Sequence, residues 1–130
     1  MPMNSIVLDA SAIMAVLNRE PGAETLTASL LTHAVSSTVN LAEVQSKLVA
    51  RGIDLDDAWT AALSPLADIL DFTAEHAKTA GSLIAETRSL GLSLGDRACL
   101  ALALGLQAPV YTADRSWKKL KLGIPIRVIR

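Results

Sequence analysis

Residues 92–106 read LSLGDRACLALALGL. The stretch is apolar or small except for Asp96 and Arg97 near its start and Ser93 before them. Ser93 followed three residues later by Asp96 has the form of a helix capping box, so the spacing predicts a helix. Ala98, Ala101, Leu102 and Gly105 share one face of it, and Cys99, Leu100 and Leu104 keep the other faces apolar. A helix that is apolar all round is normally buried. This one is predicted to lie deep in the fold, with its one charged turn opening at an edge. Asp96 there is either a cap or a chemical group.

Working outward, short apolar strands alternate with helices. Residues 6–8 and 110–112 read as buried strands, each running into an acid, Asp9 or, after Ala113, Asp114. Residues 34–37 and 67–70 are weaker strand candidates, and 124–129 closes the chain with Pro125 marking an edge strand. Helices are predicted over 11–17, 23–31, 40–51 and 73–90, with a further one from Asp54 to just before Pro65. Asn40 and Glu43 repeat the capping-box pattern, and Gly52 stops that helix. Trp59 and Leu63 are assigned to the inner side of theirs, and Ala77, Ala80, Ile84 and Ala85 to the inner side of 73–90. This alternation predicts an α/β fold with a small, mainly parallel sheet of about four to five strands flanked by helices.

The 130 residues predict one domain spanning 1–130. Hydrophobic residues make up 51% and mean hydropathy is +0.38, a surplus that predicts a buried partner or oligomer face. The longest unbroken apolar run, 98–106, is well short of the ~18 residues a membrane helix needs. Residues 1–4 form a short lead-in without the charged start of a signal peptide. Cys99 is the only cysteine. It excludes an intrachain disulfide or a thiolate cluster and fits a reducing cytoplasm. Six of the twelve basic residues follow Asp114 with no acid among them: Arg115, Lys118, Lys119, Lys121, Arg127 and Arg130. Such a cluster is either a solvated, edge-protecting surface or a phosphate-backbone contact zone.

Four carboxylates stand at special places. Asp9 and Asp114 follow strands, while Glu43 and Asp96 sit in first turns of helices. Ligands of open α/β sheets bind outside the carboxyl ends of the strands. Carboxylates converging there cannot all stay ionised without a cation, and a hard divalent ion with oxygen ligands, Mg²⁺ or Mn²⁺, suits them. Such a site hydrolyses phosphodiesters with activated water. Ser11 and Thr112, each two residues from an acid, are candidate supports. Each acid also has a purely local role, as a capping or turn residue. His33 and His76 stand near no nucleophile pattern, and no Gly-rich phosphate loop is present. Trp117, among Arg115, Lys118 and Lys119, either stacks a base or packs the last loop on the core.

Four segments in this order carry a family resemblance: VLDASAIMAVL (7–17), SSTVNLAEVQSKL (36–48), LSLGDRACLALAL (92–104) and VYTADRSWKKL (110–120). With them the chain resembles a PIN-domain ribonuclease, specifically the toxin of a VapBC-type toxin–antitoxin pair, over nearly its whole length. The resemblance implies a three-layer PIN-like fold and places the family's acidic quartet on Asp9, Glu43, Asp96 and Asp114, with supporting hydroxyls on Ser11 and Thr112. It also implies Mg²⁺- or Mn²⁺-dependent cleavage of RNA, a homodimer, and neutralisation by a small antitoxin in a heterotetramer or larger assembly. Arg97 and Arg115 flank the acids and are candidate RNA contacts. The helices carrying Met14 and Trp59 are candidate partner faces. Two rival readings are an inactive PIN-like RNA-binding module and an aspartate-based, phosphatase-like hydrolase. The latter lacks the second acid two residues after Asp9, where Ser11 stands, and a suitably placed lysine, since Lys47 is the only one before Lys78.

Overall fold

In a computed structural model of the chain, residues 4–130 are described. The lead-in read over residues 1–4 lies, but for Asn4, outside them. Five parallel strands form one sheet: β1 (Ile6–Leu8), β2 (Ala34–Ser37), β3 (Asp68–Leu70), β4 (Val110–Thr112) and β5 (Ile126–Val128). Their order is β3-β2-β1-β4-β5. Every pairing is parallel, with Val7 opposite both Val35 and Val110, and Leu8 opposite Tyr111. The α/β fold read from the sequence is therefore the one observed. The chain runs outward from β1 to β3, then crosses back to β4 and β5. The reversal puts a crevice at the carboxyl end of β1, where ligands of such sheets bind.

Strand alternation divides the core. Ile6 and Leu8 pack with residues of α1 (Ala10–Asn18), α3 (Thr38–Ala50) and α4 (Leu55–Leu63), among them Ile13, Leu41, Val44 and Ala58. Val7, Val35 and Val110 pack on the opposite face with Leu100, Leu102 and Ala103 of α7 (Leu94–Leu106) and with Trp117. Successive side chains on a strand point to opposite faces, so Asp9 and Thr112 turn toward the α7 side.

The helix that was the starting point lies as its pattern predicts. Ser93 caps it in a complete capping box with Asp96, and Ala98 to Ala103 are all buried. Gly105 is exposed, however, because the last turn runs past the sheet. Other helices differ from the sequence reading. α3 begins at Thr38 and is capped by Ser37, not Asn40, which lies inside the helix and is buried. The helix predicted over 23–31 divides into a 3-10 turn (Ala23–Thr25) and α2 (Ala28–Leu31). Leu26 between them is drawn into the core, and Thr27 starts a new cap. The helix predicted over 73–90 divides into α5 (Ala74–Ser82), α6 (Ile84–Thr87) and a 3-10 turn (Arg88–Leu90). Hydroxyls of Ser82 and Thr87 donate to the carbonyls of Lys78 and Leu83, four residues back. Such back-bonding bends helices. The bend turns Ala80, Leu83 and Thr87 inward and leaves Ala77, Ile84 and Ala85 outside. In α4 the inner positions are Ala58 and Ala62; Trp59 is exposed and Leu63 only partly buried. Met14, on a helix read as a candidate partner face, is itself in the core.

Candidate active site

Asp9 is the most constrained acid in the molecule. It directly follows β1 and caps α1 through Ala12 N–H, which donates to Oδ1 at 2.7 Å. Ser11 Oγ donates to the same oxygen at 2.7 Å, and Thr112 Oγ1 donates to Oδ2 at 2.6 Å. The two hydroxyls are themselves anchored, since Ala113 N–H donates to Ser11 Oγ and Asp114 N–H to Thr112 Oγ1. This lattice ties the ends of β1 and β4 together through the pairing that brings Asp9 N–H to the Tyr111 carbonyl. Ser11 and Thr112 thus both hydrogen-bond Asp9, Thr112 from across the sheet rather than serving the Asp114 carboxylate two residues on.

Asp9 is only 3% exposed. Burial raises its pKa from 3.8 to about 6, against the pull of Thr112, Ala12 and Ser11, and repulsion from Asp96 adds to the rise. Asp96 sits across from it at the start of α7, where Ser93 N–H donates to its Oδ2 at 2.9 Å. Oδ1 of Asp96 takes no part in the capping box, so capping leaves that oxygen available. Cys99, one turn further along α7, lies buried behind the acids. Burial pushes its thiol up, and Asp9, Asp96 and Glu43 all contribute repulsion. All three carboxylates therefore lie within electrostatic reach of this point on α7.

Glu43 reaches that point from α3. Its Oε1 accepts from Asn40 Nδ2 at 2.9 Å, and the same nitrogen donates to the Gly95 carbonyl at 3.0 Å. Asn40 is 1% exposed and clamps α3 to the first turn of α7. Gly95 completes the arrangement by having no side chain: a Cβ there would lie 2.6 Å from the Glu43 Cδ. Neither Asn40 nor Gly95 stood out in the sequence as a site residue. The signals were there, since Asn40 is one helical turn before Glu43 and Gly95 directly precedes Asp96, but each also had a local explanation.

The fourth acid is placed differently. Asp114 is exposed, and its Oδ1 accepts from Ser116 N–H at the start of the 3-10 turn Arg115–Lys119. It joins the others through Thr112 rather than by approach of its carboxylate. Arg97 is not directed at the acids either: its Nη1 donates to the Ala80 carbonyl of α5 at 2.8 Å. Arg115 is exposed beside Asp114, with Nε donating to the Arg130 carbonyl.

The arrangement suits a hard cation. Its donors are carboxylate oxygens, and none of the four acids has a basic partner among the described residues, where the single ion pair joins Glu20 to Arg130. No three of the described His, Cys, Asp or Glu side chains close on one point tightly enough to grip an ion unaided. A cation bound here would have to complete its shell with water. No described helix is long and apolar enough to cross a membrane.

Comparison with known proteins agrees with this fold. The family model of the PIN domain matches residues 6–122. Among solved structures, the chain is similar to a toxin–antitoxin complex from Klebsiella pneumoniae, with 16% identity, TM-score 0.74, and coverage of 97% of this chain and 98% of that one. It is similar to VapBC2 of Rickettsia felis bound to a promoter DNA fragment, with 21% identity, TM-score 0.71 and coverage of 93% and 96%. It is also similar to VapC20 of Mycobacterium tuberculosis, described as a sarcin–ricin-loop-cleaving toxin, with 22% identity, TM-score 0.73 and coverage of 93% and 99%. Comparison with curated proteins finds no match.

Proposed function

From the premise that the chain belongs to the PIN-domain family, we propose that it is a metal-dependent endoribonuclease toxin of the VapC type, held in check by a cognate antitoxin. The observation that carries this reading is the buried, three-fold hydrogen-bonded Asp9, close enough to Asp96 to be repelled by it and without an ion-pair partner among the described residues. Asp9, Asp96, Glu43 and Asp114 would hold Mg²⁺ or Mn²⁺, which when bound would neutralise the acids, polarise a phosphate oxygen and acidify water.

The chain's own residues do the positioning. Ser11, Thr112 and Ala12 N–H hold Asp9 in one orientation. Asp96 is locked by its capping box on a helix that is itself buried. Glu43, held by Asn40, either joins the cation or accepts a proton from the water attacking phosphorus. The similarity to VapBC assemblies supports an antitoxin partner. The exposed Ile53, Leu55 and Trp59 at α4 supply apolar surface for a homodimer or for that antitoxin. A cytoplasmic location goes with this role.

The direct test is cleavage of RNA by the purified chain, free of antitoxin, with Mg²⁺ or Mn²⁺ and then with EDTA. Chelation is expected to stop cleavage and re-addition of the metal to restore it. Cleavage that survives chelation sinks the proposal. Sequencing RNA ends after induced expression, with Asp96→Asn as control, identifies the cut.

A second variant probes Glu43 without touching an acid. Gly95→Ala normally favours a helix by roughly 0.5–1 kcal/mol. Here the new methyl would displace the Glu43 carboxylate. Cleavage is expected to fall at least about 10-fold, as for changes behind a metal ligand, while circular dichroism stays native. Full activity in Gly95→Ala would remove Glu43 from the site.

A further inference from the structure

Building on the ribonuclease reading, we propose that the basic segment from Arg115 to Arg127 is the track that grips the RNA backbone on the Asp114 side of the acids. Residues 115–130 carry a net charge of +6, while the rest of the chain carries −7. A protein with this imbalance, and with four carboxylates at its centre, repels a polyanion over most of its surface. It needs a local cationic path to bring a strand in.

The structure shows which cations are free to form one. All six are exposed. Arg130 is taken by Glu20 at 2.7 Å, and Arg115 leans on the Arg130 carbonyl. Lys118, Lys119, Lys121 and Arg127 have no hydrogen-bond or ion-pair partner among the described residues. Protection of a sheet edge accounts for Arg127, which lies on the edge strand β5. It does not account for Lys118, Lys119 and Lys121, which lie outside any strand. The 3-10 turn that carries Lys118 and Lys119 starts on Asp114 and is pinned by the fully buried Trp117. At about 2 Å rise per residue, these lysines stand roughly 10 Å along the chain from that acid.

The segment also lacks the marks of a protein-docking face. Such faces centre on apolar and aromatic anchors, yet the large exposed hydrophobics, Ile53, Leu55, Trp59, Ile84 and Leu94, all lie elsewhere. Trp117 is turned inward, so the segment offers charge without a stacking surface. It fits a phosphate backbone rather than base recognition.

The test is the salt dependence of binding to a fluorescent, mixed-sequence single-stranded RNA, in an Asp9→Asn background that leaves the probe intact. Replacing Lys118, Lys119 and Lys121 by Ala is expected to lower the slope of log affinity against log salt by about 2. Affinity near physiological salt should fall roughly 10- to 100-fold. Removing three exposed cations elsewhere, Arg51, Lys78 and Arg88, should leave the slope in place. An equal fall in both triple variants would overturn the track in favour of net charge. An unchanged slope in the lysine variant, while the wild-type chain still cleaves RNA, would overturn the track and spare the ribonuclease reading. If that variant instead loses an antitoxin and keeps RNA affinity, the segment is a protein contact and the proposal fails. Neither binding nor metal-dependent cleavage of RNA by the parent chain would sink both readings.

Discussion

Asp9→Asn is expected to abolish metal-dependent cleavage and, at the same time, to make the metal-free protein more stable. Loss of a residue behind a metal ligand typically costs 10- to 100-fold, so loss of a ligand in direct contact should exceed about 100-fold. Stability moves the other way. The carboxyl of Asp9 has a pKa of about 6 in the folded chain against an ordinary value of 3.8. The folded state therefore holds this proton more tightly than the unfolded state does. Its contribution to stability is complete below about pH 3.8 and is lost as pH rises through about 6. That gap is worth roughly 3 kcal/mol, or about 10 °C in Tm.

Asn removes this penalty without disturbing the local structure. It caps helices as well as Asp. Its amide can donate to Thr112 Oγ1, whose hydroxyl is then free to turn toward Ser11 Oγ, 3.3 Å away. Thermal unfolding of both proteins in EDTA between pH 4 and 8 checks the sign. The variant should be the more stable above pH 6, and the curves should converge near pH 4. Added Mn²⁺ should stabilise the wild type and not the variant. A stability difference that is flat with pH would show that burial of the charge is not its cause.

The second large effect concerns the segment beyond Asp114. Trp117→Ala is expected to cost about 3–5 kcal/mol, the usual range for emptying a buried aromatic site. This corresponds to a drop of roughly 10–20 °C in Tm. Trp117 is fully buried among the residues that pack α7 on the sheet. Its indole Nε1 has no hydrogen-bond partner among the described residues, so its contribution is packing, reduced by an unpaired N–H. Trp117→Phe keeps most of the contact and removes that donor, and should cost less than about 1.5 kcal/mol. Urea unfolding of the two variants compares them. If Phe costs as much as Ala, the indole N–H matters and the packing account fails. Trp117→Ala should also weaken RNA affinity, because it releases the turn that carries Lys118 and Lys119.

Much of this arrangement was legible in the sequence where one physical rule dominates. The strands over 6–8 and 110–112 follow from short runs of strand-forming residues leading toward acids, and the buried helix from the apolar run 98–106 behind Asp96 and Arg97. The capping box at Ser93 and Asp96 involves neighbours within one turn, and local hydrogen bonds need no tertiary context. The misreadings fall where a distant partner outweighs a local preference. Asn40 has the form of a cap, but Ser37 caps the helix and Asn40 is buried between Glu43 and Gly95. Trp59 has the size of a core residue, but the small Ala58 and Ala62 let α4 pack closely and turn Trp59 out. The long helix over 73–90 is continuous in its periodicity and bent by hydroxyls that bond backward.

The α/β alternation, the choice of four candidate acids and the concentration of positive charge after Asp114 are legible in the sequence. These depend on residue type and short spacing, which are written along the chain. Folding is what brings Asp9, Glu43 and Asp96 within electrostatic reach of Cys99 and leaves Asp114 exposed. It also decided that Arg97 serves α5 rather than the acids, and that Asn40 and the bare Gly95 place Glu43. The bond from Asn40 to Gly95 spans 55 positions, that from Thr112 to Asp9 spans 103, and that from Arg97 to Ala80 spans 17. Distances of that kind follow from strand order and from how closely helices pack, and neither is set by any one stretch of sequence.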